Sequence, residues 1–256
     1  MGIFNFWKKR RGTVFKKNRD GQRKSQVGAL EKTACLEVLF QRSASERDAT
    51  WEQQVLQHIA GANFASADPE LIQGADGFPY FVLKIPKSNH SHQLITLERI
   101  IPEYLIEQGV GVVLQQAHTA QVDWVFSYGD LVNFYLHGVF YDPQATYEPK
   151  PEKEVIREQE NVLVGQPAES YLPVPTRKVL RAFLERQGIE GTRIALLSKQ
   201  CGNEVRQELV CNLTPDKVGP DFYQVLRKRI QWFLPRHYTL IAMQEHGALG
   251  GDFKPL

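Results

Sequence analysis

Residues 79–126 read PYFVLKIPKSNHSHQLITLERIIPEYLIEQGVGVVLQQAHTAQVDWVF, and the order of their apolar runs indicates the fold class. The runs YFVLKI (80–85), VGVVL (110–114) and VDWVF (122–126) predict three strands, because short apolar runs bounded by polar residues or glycine are typical of strands. Between the first two, LERIIPEYLIEQ (97–108) predicts a helix that Thr96 caps and Gly109 ends. Strands that alternate with helices predict an α/β fold.

The residues that follow extend this pattern into a first unit, residues 62–142. Asp130 is predicted to cap a short apolar helix over 131–137, which Gly138 ends. Residues 139–141 then predict a fourth strand that Pro143 terminates. The predicted order of elements in this unit is βαββαβ.

Residues 143–160 predict a linker, because they combine prolines with many charged residues. Beyond them, residues 161–256 predict a second βαββαβ unit with a C-terminal tail. We expect the two units to superpose, with helix 97–108 matching helix 176–187. The alternative is one continuous mixed sheet, in which the apparent repeat has no structural meaning. The elements predicted for the second unit are strands over 162–164, 193–199, 205–213 and 237–244 and helices over 176–187 and 221–234.

Residues 28–61, which precede the first unit, predict one or two helices. Ser43 and Glu46 have the spacing of a capping box, and Gly61 follows the last apolar position. The segment LEVLFQ (36–41) matches a viral protease recognition sequence that is used in expression vectors. Because natural and engineered origins both fit, this segment carries no functional argument.

The charge of the chain is divided unevenly. The net charge is +2, but residues 1–24 contain nine Lys or Arg and only one acidic residue, so this segment carries +8 and the remainder −6. The segment has too few apolar residues to offset the entropy of ordering it. We therefore predict that residues 1–27 form a disordered basic arm.

Several classes of protein are not supported by the sequence. There is no apolar run long enough to cross a membrane and no signal-peptide pattern, which favours a soluble cytoplasmic protein. The three cysteines, Cys35, Cys201 and Cys211, lack metal-ligand spacing and are typical of a reducing compartment. His90 and His92 lie in a polar loop without nearby carboxylates. No phosphate-binding loop or dinucleotide motif occurs, so neither a metal nor a cofactor is expected.

One set of residues could form a hydrolytic site. Asp123 and Ser127 flank a predicted strand, Asp130 begins the next helix and His137 ends it. A nucleophile, a base and an orienting carboxylate are the parts that such chemistry needs. Asp130 and His137 also have structural explanations, as a helix cap and as a cation at a helix C-terminus.

The second unit resembles a known family. The residues VLVGQP (162–167), then Pro173 before an amphipathic helix, two strands, another helix and a last strand are similar to the C-terminal domain of the SseB family, bacterial proteins linked to enhanced serine sensitivity. The resemblance covers residues 160–256 and implies a cytoplasmic bacterial protein without established catalytic residues. The basic arm departs from this family.

The function expected from these observations is that of a non-catalytic interaction or regulatory protein. It would bind a protein partner through a groove or a sheet face, because an α/β fold without a recognisable site gives little support for chemistry. The alternative is a hydrolase whose cleft lies between the two units, near His137 or His237. Nucleic acid is not an expected partner, since the arm has few interleaved aromatic residues and the body is acidic.

The arm has the composition of a weak membrane anchor. Its apolar residues, which could enter the headgroup boundary, directly precede a basic cluster, which could lie near anionic lipids at about 1 kcal/mol for each charge. An inert solubilising tail is the alternative. The residues predicted to contact such a surface are Phe4, Phe6, Trp7, Lys8, Lys9, Arg10 and Arg11, with Ile3 beside them.

Sedimentation with lipid vesicles tests the anchor. The full chain should bind anionic vesicles but not neutral ones, and salt should weaken the binding because it screens the basic cluster. A chain that begins at Ser25 and the double variant Phe4→Ala/Trp7→Ala should both bind less. Equal sedimentation of all three proteins would leave the arm without this role.

Overall fold

The protein has an α+β fold with two mixed sheets, as the sequence predicts. The computed structural model describes residues 19–86, 94–116, 121–145, 162–201, 204–245 and 250–256. The predicted arm lies outside these residues up to position 18, and the predicted linker lies outside them over 146–160. Helix α1 begins at Arg19, so the prediction of disorder up to residue 27 is wrong for its last part.

The N-terminal segment forms two helices, α1 (Arg19–Phe40) and α2 (Ala49–Ile59). The predicted capping box is present, since the Ser43 N–H donates to a Glu46 carboxylate oxygen at 2.9 Å, but it opens only the 3₁₀ turn Ala44–Glu46. Asp48 caps α2 by accepting from the Trp51 N–H at 2.8 Å. Leu36, Leu39 and Phe40 are buried in the core, so the segment 36–41 is part of the fold.

The first sheet has the order β1-β2-β3-β4. Strand β1 pairs antiparallel with β2, β2 pairs parallel with β3, and β3 pairs antiparallel with β4. The connection between β2 and β3 contains helix α3, residues 97–108. Helix α4 (Tyr128–His137) follows β4. The central strands β2 and β3 are buried on both faces, as their continuous apolar sequences predict. The strands are β1 (Ala65–Gln73), β2 (Pro79–Lys84), β3 (Gly111–Gln115) and β4 (Val122–Phe126).

Helix α3 accommodates a proline in its interior. It runs through α-helical Leu97–Ile100, π-helical Ile101–Leu105 and α-helical Ile106–Gln108. Pro102 has no N–H to donate and its ring would crowd the carbonyl one turn earlier. The wider turn places the Ile106 N–H on the Ile101 carbonyl, which lets the helix continue to its C-cap Gly109.

The predicted fourth strand of the first unit, residues 139–141, is not a strand. Phe140 is held by aromatic stacking instead. Its ring lies 4.0 Å from the Phe126 ring and 4.5 Å from the Phe134 ring, measured between centroids. Phe140 and Tyr141 are therefore buried without strand pairing, while Val139 is exposed. The fourth strand of the first sheet is instead β1, which precedes β2 in the chain.

The second sheet has the order β5-β6-β7-β8, with β9 pairing to the start of β6. The β5–β6 and β6–β7 pairs are antiparallel and the β7–β8 pair is parallel. The C-terminal tail is therefore part of this sheet. The elements are β5 (Val162–Gly165), α5 (Val174–Arg186), β6 (Arg193–Cys201), β7 (Glu204–Cys211), α6 (Pro215–Val218), α7 (Pro220–Gln231), β8 (Leu240–Ala242) and β9 (Lys254–Pro255).

The predicted superposition of the two units is wrong, because it pairs the wrong helices. Helix α3 connects two parallel strands, whereas α5 connects the antiparallel strands β5 and β6. The element that corresponds to α3 is α7, which lies between the parallel strands β7 and β8. The order shared by the two sheets is thus ββαβ, in β1-β2-α3-β3 and in β6-β7-α7-β8, with α6 inserted before α7.

One hydrophobic core joins the two sheets. At its centre, the Phe78 and Trp232 rings stack at 4.2 Å with an angle of 3° between their planes. The Trp232 indole N–H also donates to the Tyr80 hydroxyl at 3.0 Å. We call these rings the central aromatic cluster; it consists of Phe78, Tyr80 and Tyr128 from the first half and Phe183, Trp232 and Phe233 from the second.

A direct backbone contact joins the two halves at Gly129, in the first turn of α4. Its N–H donates to the Trp232 carbonyl at 2.9 Å. A Cβ atom at this position would lie 2.0 Å from the Leu234 carbonyl oxygen, so no side chain fits here. The first turn of α4 therefore packs directly on the backbone that follows α7.

The face of α7 that is buried differs in part from the expected one. Leu226, Ile230 and Phe233 are buried as predicted, but Phe222 and Val225 are exposed and Tyr223 is buried in their place. The helix begins at Pro220, one residue before the predicted start, and its orientation in the fold leaves the side chains of Phe222 and Val225 exposed.

The two cysteines of the β6–β7 hairpin cannot form a disulfide. Cys201 pairs with Glu204, whereas Cys211 pairs with Ile194 at the other end of β6, about 23 Å away for seven residues of strand. Burial raises the pKa of the Cys211 thiol to about 11. Among the described residues there is no helix that is both long enough and apolar enough to cross a membrane.

The contact at Gly129 predicts a large effect of one methyl group. Gly129→Ala should lower the free energy of unfolding by at least about 3 kcal/mol, because the added Cβ overlaps backbone atoms that cannot move separately from the fold. The control is Gly28→Ala in α1, where a Cβ meets nothing within 4 Å and should stabilise the helix by about 0.5–1 kcal/mol. Urea unfolding measures both, and a cost below about 1 kcal/mol for Gly129→Ala would contradict this packing.

Candidate functional site

A groove of about 480 Å³ lies beside the edge strand β4. One wall comes from Arg47, Trp51 and Glu52, in and just before α2. The floor and rim are residues 122–125 of β4. Tyr141 and Arg236 close the other side, so the groove needs both halves of the chain.

A bulge in β4 shapes the floor of the groove. Leu114 of β3 faces Trp124, but the next residue, Gln115, faces Val122, which leaves Asp123 as the extra residue. A bulge turns side chains away from the strict alternation of a strand. As a result Asp123 and Trp124 are both buried, while Val122 and Val125 on either side of them are 44 % exposed.

Asp123 carries a buried carboxylate that is only half satisfied. Its Oδ1 atom accepts from Arg47 Nη2 at 3.2 Å and from Gln116 Nε2 at 3.3 Å. Its Oδ2 atom and the indole Nε1 of Trp124 each expose less than 1 Å² and have no hydrogen-bond partner. Buried polar atoms are normally paired, since leaving one unpaired costs about 1–3 kcal/mol.

The far side of the groove is held by a second arginine–aspartate pair. Arg236 donates to both oxygens of Asp130, at 2.8 and 3.1 Å, and its guanidinium lies 3.4 Å from the centre of the Tyr141 ring. Burial would lower the pKa of Arg236, but the hydrogen bond and charge of Asp130 outweigh this and raise it. The guanidinium is therefore a fixed cation.

Tyr141 connects this side to α2. Its hydroxyl donates to Glu52 Oε1 at 2.7 Å. Burial, together with the acceptor Glu52, raises the pKa of the tyrosine, so the hydroxyl keeps its proton at physiological pH. This hydrogen bond links the two sides of the groove through residues that are 89 positions apart in the sequence.

The structure does not bring the predicted hydrolytic residues together. Ser127 is the N-cap of α4 and accepts from the Asp130 N–H at 3.1 Å, whereas His137 is the last residue of the same helix. Ten residues of helix separate them by about 15 Å, beyond the reach of proton transfer. Asp123 lies in the groove, and none of the hydrogen bonds among the described residues joins it to Ser127 or His137.

Four other sequence predictions concern residues that do not line the groove. Asp130, predicted to be the N-cap, is instead the third residue of a capping box with Ser127. His237 is exposed, and its ring lies edge-on to the Tyr238 ring. The predicted contact residues of the arm, from Phe4 to Arg11, and the pair His90 and His92 lie outside the described residues.

Within the described part of the chain, no group of three or more His, Cys, Asp or Glu side chains could hold a metal ion. The sequence identifies Asp123 but not Arg47, Glu52 or Arg236. Their roles depend on contacts between distant positions, and no local pattern indicates them.

No family model, no curated protein and no solved structure matches this chain. The resemblance of residues 160–256 to the SseB family therefore stays a prediction.

Proposed function

We propose that this is a non-catalytic interaction protein that binds an extended segment of a protein partner along the edge of β4. The observation that carries the proposal is the position of this edge. Strand β4 pairs only with β3 among the described residues, and its other edge opens into the groove. An open strand edge offers a row of main-chain donors and acceptors to an added strand.

The surroundings of β4 favour a short, specific segment over unlimited pairing with other strands. The bulge at Asp123 interrupts the edge, and Arg47 and Arg236 place charges beside it. Bulges and charges are the features that prevent long strands from aggregating at an edge. The exposed Val122 and Val125 supply apolar contacts for a partner that does fit.

Binding is better supported than hydrolysis at this place. The residues that line the groove include no serine, cysteine or histidine, and so lack the usual nucleophile and base. What the groove does offer is aromatic rings and two arginines held by buried aspartates, a composition typical of protein interfaces.

A cytoplasmic protein that associates peripherally with an anionic membrane is a separate proposal. It rests on the sequence of the basic arm alone, and vesicle sedimentation tests it independently of the groove.

Selection of peptides from a displayed random library on the full chain tests the proposed function. Selected peptides should bind with micromolar affinity, and Val125→Arg should weaken them at least about tenfold, because it puts a charge where the added strand packs. Methylation of alternate peptide nitrogens should also abolish binding, since it removes main-chain donors.

The matched control is Leu163→Arg. Leu163 is an exposed apolar residue of β5, the edge strand of the other sheet, and its replacement should leave binding unchanged. Failure to select any peptide, or equal weakening by Val125→Arg and Leu163→Arg, would contradict binding at β4.

A further inference from the structure

The two unpaired atoms of the groove have complementary chemistry. Asp123 Oδ2 can only accept a hydrogen bond, and Trp124 Nε1 can only donate one. They belong to consecutive residues that the bulge buries together. A group that has both an N–H and a C=O carries the two partners that these atoms lack.

The charges of the groove argue for a neutral group. Arg47 is paired with Asp123 and Arg236 with Asp130, so each buried aspartate already has its cation. A further anion would meet the free oxygen of Asp123 and the nearby Glu52, whereas a cation would meet two guanidinium groups and leave the Trp124 indole unpaired. A primary carboxamide has no charge and supplies both hydrogen bonds.

We propose that the groove recognises the carboxamide side chain of an Asn or Gln in the bound segment, with its N–H donating to Asp123 Oδ2 and its C=O accepting from Trp124 Nε1. The inference rests on the proposed function, in which a strand added to β4 directs alternate side chains over the buried pair. It specifies which residue that segment carries.

Access to the two atoms requires a local opening of the groove. Both atoms are covered in the structure, and Arg47 is held in place, because its guanidinium donates to Asp123 Oδ1 at 3.2 Å, to the Phe40 carbonyl at 2.8 Å and to the Arg42 carbonyl at 3.2 Å. Arg47 therefore keeps its pairing with Oδ1, and the carboxamide reaches Oδ2 beside it. The two new hydrogen bonds end the cost of the two unpaired atoms.

The indole signals of the 15N-tryptophan-labelled full chain report on this contact directly. The Trp51 indole N–H donates to the Leu39 carbonyl and that of Trp232 to Tyr80, so among the described tryptophans only Trp124 has a free indole donor. Trp124→Phe identifies its signal. The probes are four small molecules, namely propionamide, propionate, propylammonium and N-methylacetamide, of which the last mimics the main chain.

Propionamide should shift the Trp124 signal downfield in a saturable way, in the millimolar range expected for a ligand of about five heavy atoms, and leave the Trp232 signal unmoved. Asp123→Asn should weaken this response about tenfold, because it replaces an acceptor by a donor. The control Asp221→Asn, an exposed aspartate in the first turn of α7, should not change it.

Each other outcome overturns the inference. No shift with any probe would mean that only water reaches these atoms, an equal shift with N-methylacetamide would assign the contact to the main chain, and a stronger response to propionate or propylammonium would assign it to a charged group. Because these probes need no peptide, the result is separate from peptide selection. If peptides bind through β4 but propionamide does not shift the Trp124 signal, the proposed function is supported and this inference is wrong.

Discussion

The backbone contact between Gly129 and Trp232–Leu234 fixes how the two halves of the chain pack on each other. A hydrogen bond and a van der Waals contact join the first turn of α4 to the chain after α7 without any side chain between them. This close approach brings Tyr128 against Trp232 and Phe233, and so allows the central aromatic cluster to form. Aromatic rings bury large apolar areas, so the cluster makes the two sheets parts of one core.

The groove follows from this packing. Asp130 lies one residue beyond Gly129 and holds Arg236, which lies two residues beyond Leu234. Arg236 then stacks on Tyr141, and Tyr141 bonds to Glu52 of α2. The same junction that closes the core therefore positions the far wall of the groove, while the bulge in β4 positions its floor. Neither half of the chain contains the complete site.

The elements that could be predicted are those with local signals. Strands β2 and β3 are almost continuous apolar runs, β4 is an apolar run interrupted by Asp123, and the sequence predicts α3 over 97–108 despite Pro102. The sequence does not predict strand β1, because Asp68 and Pro69 interrupt its pattern. Residues 139–141 predict a strand that is absent, because a short apolar segment that is buried by ring stacking looks the same in the sequence as a short strand. The groove could be predicted only at Asp123. Its partner Arg47 is 76 residues away, and Arg236 is 106 residues from Asp130, so both depend on tertiary packing alone.

Hydrogen exchange of the full chain in rising denaturant tests most directly whether the two sheets form one cooperative core. The slowest-exchanging amides of β3, in the first sheet, and of β7, in the second, should have opening free energies equal within about 1 kcal/mol, because neither sheet can lose its face of the shared core alone. Opening of β7 at a free energy lower by more than about 2 kcal/mol would show that the second half unfolds separately, and would contradict a groove built on the junction of the two.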